Sequence, residues 1–175
     1  MENSIYITIG TGIGAGVISN GKLLHGMLHP EGGHVLLSKH PDDTYEGNCP
    51  YHKACLEGLA SGPAIEGRWG KKGVELTDRK EVWEMEAYYI AQALVDYILI
   101  LSPQRIVLGG GVMHQEHMMP LVRTEVKRQL AGYIQTKELQ EDIEHYIVLP
   151  SLNDDQGIMG ALKLGLDEYR LENKG

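Results

Sequence analysis

A short polar stretch holds the residues whose types and spacing best suit metal chemistry: Cys49, His52 and Cys55 fall within a window of seven residues. Thiolate and imidazole are the ligands that zinc takes in four-coordinate structural sites. A fourth ligand is needed, and His34 and His40 are both available upstream. The alternatives are two incidental thiols beside a surface histidine, or a disulfide, which intracellular proteins rarely form. We predict a zinc site, because a metal would also explain how a loop with few apolar residues stays ordered.

A glycine-rich segment at 10–16 has the sequence Gly-Thr-Gly-Ile-Gly-Ala-Gly and lies between two predicted strands. A backbone without side chains can turn its N–H groups toward phosphate oxygens, and Thr11 adds a hydroxyl donor. A Walker loop would end in Gly-Lys-Ser or Gly-Lys-Thr, and a Rossmann turn would lead into a helix, so neither applies. The segment is either a strand-turn-strand phosphate loop or a hairpin turn without a ligand, and the pattern favours neither.

A second glycine cluster, Gly109, Gly110 and Gly111, follows a short apolar run and precedes a helical pattern. Open α/β sheets bind ligands at the carboxyl ends of their strands. Close packing of a helix on a strand commonly needs one glycine and rarely three. We therefore favour a site at which a flat nucleotide or sugar lies against the backbone.

Acidic residues near a histidine form the last candidate. Glu31 precedes His34 by three residues, and Glu57 follows the second cysteine by two. A carboxylate and an imidazole at such spacing can hydrogen-bond the vicinal hydroxyls of a sugar. Because acidic residues near a histidine are common, the pattern alone carries little weight.

The elements that must position these residues change in type along the chain. A β-branched run at 4–9, and apolar runs at 15–19 and 22–25 separated by Asn20-Gly21, predict three consecutive antiparallel strands. Residues 29–54 lack an apolar period and form a long loop, which in a compact domain requires a functional or structural reason. Helices are predicted at 56–69, with a break at Ser61-Gly62-Pro63, and at 79–101, 116–131 and 155–171, and strands at 105–108 and 146–149. This order predicts an α/β protein with a mixed sheet flanked by helices.

Composition narrows the class of protein further. The 175 residues suffice for one domain, and 42% hydrophobic with 23% charged residues excludes a disordered tail, a fibrous repeat and a coiled coil. With 24 acidic and 16 basic residues the net charge is −8, which makes nucleic acid and anionic membranes poor partners. The strongly apolar stretch at 90–101 is too short to span a bilayer. Because no signal-peptide pattern opens the sequence, we expect a cytoplasmic protein.

Taken together, these segments resemble the ROK family of sugar kinases and regulators, and within it the bacterial fructokinases. Residues 10–16 are similar to the family's second phosphate loop, and Glu31-Gly-Gly-His34 is similar to its Glu-x-Gly-His sugar signature. Residues 52–64 resemble the zinc segment and the helix after it, in the Cys-Pro-Tyr-His variant of the fructokinase branch. Residues 106–113 resemble the adenosine-binding strand and turn. The resemblance covers nearly the whole chain.

The resemblance implies an actin-like ATPase fold, in which two RNase H-like lobes enclose ATP and sugar. Residues 1–175 would be the C-terminal lobe, with a mixed five-stranded sheet and a zinc-binding loop at 29–57. The residues implied at the ATP phosphates are Gly10, Thr11 and Gly12, and those implied at the sugar hydroxyls are Glu31, His34 and Glu57. The residues implied beside the adenosine are Pro63, Gly109, Gly110, Gly111, Val112 and Met113. The implied zinc ligands are His34, Cys49, His52 and Cys55, because the signature histidine is the family's metal ligand.

The activity implied by the resemblance is ATP-dependent phosphorylation of fructose to fructose 6-phosphate by a homodimer, with Mg²⁺ and a structural Zn²⁺. The expected partners are therefore sugar and ATP, and neither nucleic acid nor a membrane. The family's catalytic Asp lies upstream of the glycine loop, so the base is expected outside this chain. Residues 153–157, Asn-Asp-Asp-Gln-Gly, also depart from the family's small-residue turn. The alternative is a sugar-sensing regulator of the same family, or a zinc-stabilised module for binding or dimerisation.

Overall fold

A five-stranded mixed sheet organises the chain, in a computed structural model that describes residues 1–152 and 155–173. The strands are β1 Ser4–Ile9, β2 Ile13–Ser19, β3 Lys22–Leu23, β4 Arg105–Gly109 and β5 Ile147–Val148. Their order across the sheet is β3-β2-β1-β4-β5. Because β1 pairs antiparallel with β2 and parallel with β4, the predicted mixed five-stranded sheet is confirmed.

The three antiparallel strands follow from local features of the sequence. In β1, Ile5, Ile7 and Ile9 are no more than 1% exposed and alternate with more exposed residues, which is the pattern of a strand with one face in the core. Between β2 and β3, Asn20 and Gly21 have φ values of 51° and 73°. Positive φ at both central residues is typical of the type I′ turns that join hairpin strands. The Asn-Gly turn therefore sets the β2–β3 pairing that the sequence predicts.

Helices supply the remainder of the core. They are α1 Leu56–Ala60, α2 Gly62–Trp69, α3 Lys80–Leu101, α4 Met118–Leu130, α5 Lys137–Gln140, α6 Ile143–Tyr146 and α7 Gln156–Glu172. Helix α3 packs against α1 and α4 and buries Trp83, Tyr89 and Leu94. It ends at Leu101, because the next residue, Ser102, precedes Pro103 and a residue before a proline disfavours the helical region.

The break predicted at Ser61-Gly62-Pro63, near the start of the helical segment at 56–69, is confirmed. Ser61 ends α1, and its hydroxyl accepts a hydrogen bond from the Ala64 N–H over 3.3 Å. A serine at this position stabilises the start of a helix, so α2 begins as a separate element. The strand predicted at 146–149 differs from the structure, since α6 includes Tyr146 and β5 has only two residues.

The last helix, α7, is present as predicted but carries its apolar face on the surface. Met159, Leu162 and Leu166 are between 44% and 63% exposed, so the rest of the described chain leaves this face uncovered. Asn153 and Asp154, within the segment that departs from the family's turn, lie outside the described residues. No described helix combines the length and apolarity required to cross a membrane.

Candidate functional site

The four predicted zinc ligands come together in the long loop. One ligand atom from each of His34, Cys49, His52 and Cys55 lies within 4.8 Å of the others. His34 Nδ1 is 3.5 Å from Cys55 Sγ and 3.9 Å from Cys49 Sγ, and His52 Nδ1 is 3.8 Å from Cys49 Sγ. Tetrahedral zinc with ordinary Zn–N and Zn–S bonds holds its ligand atoms about 3.4–3.8 Å apart. The donor set and its spacing therefore fit a four-coordinate zinc ion, whereas His40, the other candidate, is not in the group.

The surroundings of the two thiols shift their pKa values in opposite directions. Hydrogen bonding from the backbone N–H of His52 lowers the pKa of Cys49 to about 6, so this thiol is largely ionised at neutral pH. Burial raises the pKa of Cys55, whose sulfur accepts a hydrogen bond from the Gly58 N–H at the start of α1. The backbone is closely packed where the loop meets α1, since a Cβ on Gly58 would lie 1.8 Å from the carbonyl oxygen of Lys53.

Three buried residues that the sequence analysis does not single out fasten this loop to the helices. Asp43, in the loop, accepts hydrogen bonds at Oδ2 from Arg68 Nε over 3.1 Å and from the Tyr89 hydroxyl over 2.5 Å. The Tyr89 oxygen in turn accepts from the His40 N–H over 3.0 Å. These residues stand far apart in the chain, so no short motif could have indicated their contact.

The glycine turn at 10–12 is closed by backbone hydrogen bonds. The Gly10 N–H donates to the Gly12 carbonyl over 3.0 Å, and the Gly10 carbonyl accepts from the Gly62 N–H at the start of α2 over 2.8 Å. Thr11 and Gly12 are exposed, and their N–H groups have no hydrogen-bond acceptor within the described chain. Two open amides and a threonine hydroxyl thus face solvent at one point, which suits an anion such as phosphate.

Glu57 connects this turn to the metal group. Its Oε2 accepts a hydrogen bond from the Ile13 N–H over 2.9 Å, and its Oε1 lies 3.9 Å from His34 Nε2. The segment that carries His34 also packs directly on β2, because a Cβ on Gly33 would lie 1.8 Å from the Ile13 carbonyl oxygen. Glu31 is exposed beside it. Glu57 and the segment that carries His34 therefore both contact Ile13, the residue directly after the predicted phosphate turn.

The three glycines at 109–111 differ in whether close packing requires them. A Cβ on Gly109 would lie 2.5 Å from the Tyr6 hydroxyl, and a Cβ on Gly110 would lie 2.4 Å from the Ile9 carbonyl oxygen. Close packing, the alternative reading of these glycines, thus accounts for two of the three. A Cβ on Gly111 would meet nothing within 4 Å, so backbone is open to a ligand there.

The remaining predicted adenosine residues are divided between surface and core. Pro63 is exposed in the first turn of α2. Val112 and Met113 are 7% and 2% exposed, so their side chains lie in the core. The Gly111 amide nitrogen is 3.9 Å from the position of a Cβ on Gly10, which makes the two glycine clusters neighbours.

Comparison with known proteins identifies the family. The profile of the ROK family matches residues 1–168, and the chain belongs to that family. A protein named putative fructokinase from Bacillus subtilis is 55% identical over 172 residues, which cover 98% of this chain and 58% of that protein. A fructokinase from Streptococcus mutans is 46% identical over 168 residues, covering 94% of this chain and 55% of that protein. The chain thus spans a little more than half the length of these relatives.

A solved structure of a ROK family protein has a fold similar to that of this chain. The ROK family glucokinase from Streptomyces griseus, in complex with glucose and AMPPNP, matches with a TM-score of 0.69 and 24% identity over 93% of this chain and 60% of that chain. The fold is therefore that of the ROK sugar kinases, an actin-like ATPase fold, as the sequence predicts.

Proposed function

We propose that this chain is the C-terminal lobe of a ROK kinase that transfers phosphate from ATP to fructose, giving fructose 6-phosphate, with residues 1–175 as one domain. The observation that carries the proposal is that the open glycine turn and the metal group lie on either side of one carboxylate, that of Glu57. A sugar kinase needs a phosphate-binding turn beside a polar site for the sugar. The relatives named fructokinase, matched along nearly the whole of this chain, support fructose as the substrate.

The proposed ligands divide between the two sides of that carboxylate. The ATP phosphates would accept hydrogen bonds from the Thr11 and Gly12 amides and from the Thr11 hydroxyl. The sugar hydroxyls would contact Glu31, His34 and the Oε1 atom of Glu57. The adenosine would lie against the open backbone at Gly111, and the AMPPNP complex of the Streptomyces griseus glucokinase supports a nucleotide in this fold.

A structural zinc ion is part of the proposal. It would be held by His34, Cys49, His52 and Cys55, whose ligand atoms all lie within 4.8 Å of one another and are of the types that zinc takes in structural sites. With four protein ligands it would order the loop and fix the ring of His34, without activating water. Mg²⁺ would accompany the ATP phosphates, as it does in other phosphoryl transfer enzymes.

The proposed reaction is an in-line transfer. A sugar hydroxyl oxygen would form a bond to the γ-phosphorus while the bond from that phosphorus to the β,γ-bridging oxygen breaks, leaving ADP. The hydroxyl proton would pass to a carboxylate base, which we assign to the other lobe. The residues of this chain would hold both substrates in the required geometry. Positioning of this kind supplies much of the catalysis in phosphoryl transfer.

We further propose that the protein works in the cytoplasm as a homodimer. Both cysteines are free thiols in the metal group, which suits a reducing compartment. Self-association follows from the family resemblance, and sedimentation analysis would check it. A single species at the 19.4 kDa mass of one chain would contradict the dimer.

Binding by the purified, metal-loaded chain tests the kinase function. In titration calorimetry we expect AMPPNP with Mg²⁺ to bind and fructose to bind, and in a coupled assay we expect little or no ADP release. Failure to bind nucleotide would contradict the kinase function, and sugar binding without nucleotide binding would favour the sensing module. Robust ADP release would show that the catalytic base lies within this chain.

A further inference from the structure

Glu57 makes a contact that a role in sugar binding does not require. Its Oε2 atom accepts a hydrogen bond from the Ile13 N–H over 2.9 Å, and Ile13 is the residue at which the glycine turn ends and β2 begins. The same oxygen lies 3.0 Å from the position that a Cβ on Gly12 would take. One oxygen of this carboxylate therefore contacts the turn, and Oε1 has no hydrogen bond within the described chain.

We propose that Glu57 is a positioning residue that fixes the glycine turn for nucleotide binding, a role that rests on the kinase function proposed above. The two open amides, those of Thr11 and Gly12, lie between two anchors. At one end the Gly10 carbonyl accepts from the Gly62 N–H over 2.8 Å, and at the other Glu57 holds the Ile13 N–H. Without the carboxylate, the turn would be fastened to the helical side of the lobe at one end only.

The same side chain lies between the turn and the metal group. Both thiol sulfurs face His34 Nδ1, at 3.5 and 3.9 Å, so a metal ion would bind that nitrogen. The other ring nitrogen, Nε2, lies 3.9 Å from Glu57 Oε1, which is beyond hydrogen-bond distance. The hydrogen bond from the Ile13 N–H is therefore the one that holds this carboxylate within the described chain. Glu57 thus stands between the metal loop and the phosphate turn and is fastened to the turn.

Two substitutions of Glu57 separate this role from a sugar contact. In Glu57→Gln the side-chain carbonyl can still accept from the Ile13 N–H, whereas Glu57→Ala removes the acceptor. We expect hydrogen exchange of the Ile13 amide, followed by NMR, to be about tenfold or more faster in the alanine variant. We expect the affinity for AMPPNP to fall by a similar factor in that variant and to be largely restored in the glutamine variant. Zinc content serves as the control for an intact metal loop.

A pair of glycine substitutions tests the contact without changing Glu57. A methyl group on Gly12 would press on Glu57 Oε2 at 3.0 Å, whereas one on Gly14 would meet the Thr8 methyl group at an ordinary 3.7 Å. We expect Gly12→Ala to weaken AMPPNP binding and speed Ile13 exchange, and Gly14→Ala to change neither. This comparison stays informative if Glu57→Ala fails to fold.

The outcomes separate this proposal from the kinase function. Unchanged exchange of the Ile13 amide in both Glu57→Ala and Gly12→Ala would overturn the positioning role. So would unchanged AMPPNP affinity combined with weaker fructose binding, because that result would leave Glu57 a sugar contact alone. If the unsubstituted chain binds no AMPPNP, the kinase function fails, and the amide exchange still decides whether Glu57 fixes the turn.

Discussion

Arg68 Nε donates a hydrogen bond to Asp43 Oδ2 over 3.1 Å, with the two side chains only 6% and 2% exposed. The pair joins the long loop that carries the proposed zinc ligands to α2, and the Tyr89 hydroxyl of α3 donates to the same carboxylate oxygen. Arg68 also donates from its second nitrogen to the Leu59 carbonyl over 2.8 Å. One buried carboxylate therefore fastens the loop to two helices.

Replacement of Asp43 is expected to be costly, because a buried guanidinium would lose its counter-charge. Asp43→Ala should lower the free energy of unfolding by about 3 kcal/mol or more, measured by urea denaturation. Asp42→Ala is the matched control, since the neighbouring carboxylate is 88% exposed and its removal should leave the unfolding midpoint unchanged. Equal midpoints for the two variants would mean that the pair does not hold the loop.

The proposed zinc site predicts how much metal the purified chain contains. Metal analysis of the purified chain should find about one zinc per chain, and Cys49→Ser should lose most of it because three ligands hold zinc much more weakly than four. His40→Ala should keep its zinc, since His40 lies outside the group of four ligands. Cobalt substitution gives an independent readout, with thiolate charge-transfer absorption expected in the unsubstituted chain and weakened in Cys49→Ser. Zinc-free protein from metal-replete cells would contradict the site.

The buried carboxyl of Glu86 should make the stability of the chain depend on pH. It is 1% exposed in α3, and neither carboxylate oxygen has a hydrogen-bond partner within the described chain. Burial raises its pKa well above the usual 4.5, and attraction to Arg68 opposes this only in part. The folded chain therefore keeps this proton to a higher pH than the unfolded chain does. Its contribution to stability is complete below about pH 4.5 and is lost as the pH rises toward the folded-state pKa.

Glu86→Gln should remove this contribution to the pH dependence. The free energy of unfolding of the variant, relative to the unsubstituted chain, should rise as the pH increases from about 5 to 8. Glu84→Gln, a substitution on the same helix at an exposed side chain that pairs with Lys80, should give no comparable trend. Parallel pH profiles for the unsubstituted chain and Glu86→Gln would show that the buried carboxyl does not hold its proton.

The parts of the fold that the sequence predicts are those encoded by neighbouring residues. Strand alternation in β1 and the Asn20-Gly21 turn are local signals, and both are confirmed. The two-residue β5 depends on pairing with β4 and follows directly on α6, so an apolar run of four residues overstates its length. The short helices α5 and α6 lack the length needed for a visible apolar period.

The candidate site also contains features that neighbouring residues predict and features that depend on distant residues. The spacing of Cys49, His52 and Cys55 predicts a metal site, while the choice of His34 as the fourth ligand comes from the family resemblance. The link between Asp43 and Arg68 spans 25 residues of chain and involves residue types that are usually solvated, so no pattern could indicate it. Long-range polar contacts of this kind are visible only once the loop is folded.

Gly110 and Gly111 are adjacent in sequence but should respond differently to alanine. Gly110 has φ 92°, and a Cβ there would lie 2.4 Å from the Ile9 carbonyl oxygen, so Gly110→Ala should destabilise the fold by about 2 kcal/mol or more. A Cβ on Gly111 would meet nothing within 4 Å, so Gly111→Ala should leave the urea midpoint nearly unchanged. Because the methyl group would stand on backbone proposed to face the adenosine, Gly111→Ala should nevertheless weaken AMPPNP binding in a calorimetric titration. Undiminished binding by Gly111→Ala would leave only the close packing at Gly109 and Gly110 to explain this cluster, and would move the adenosine away from the end of β4.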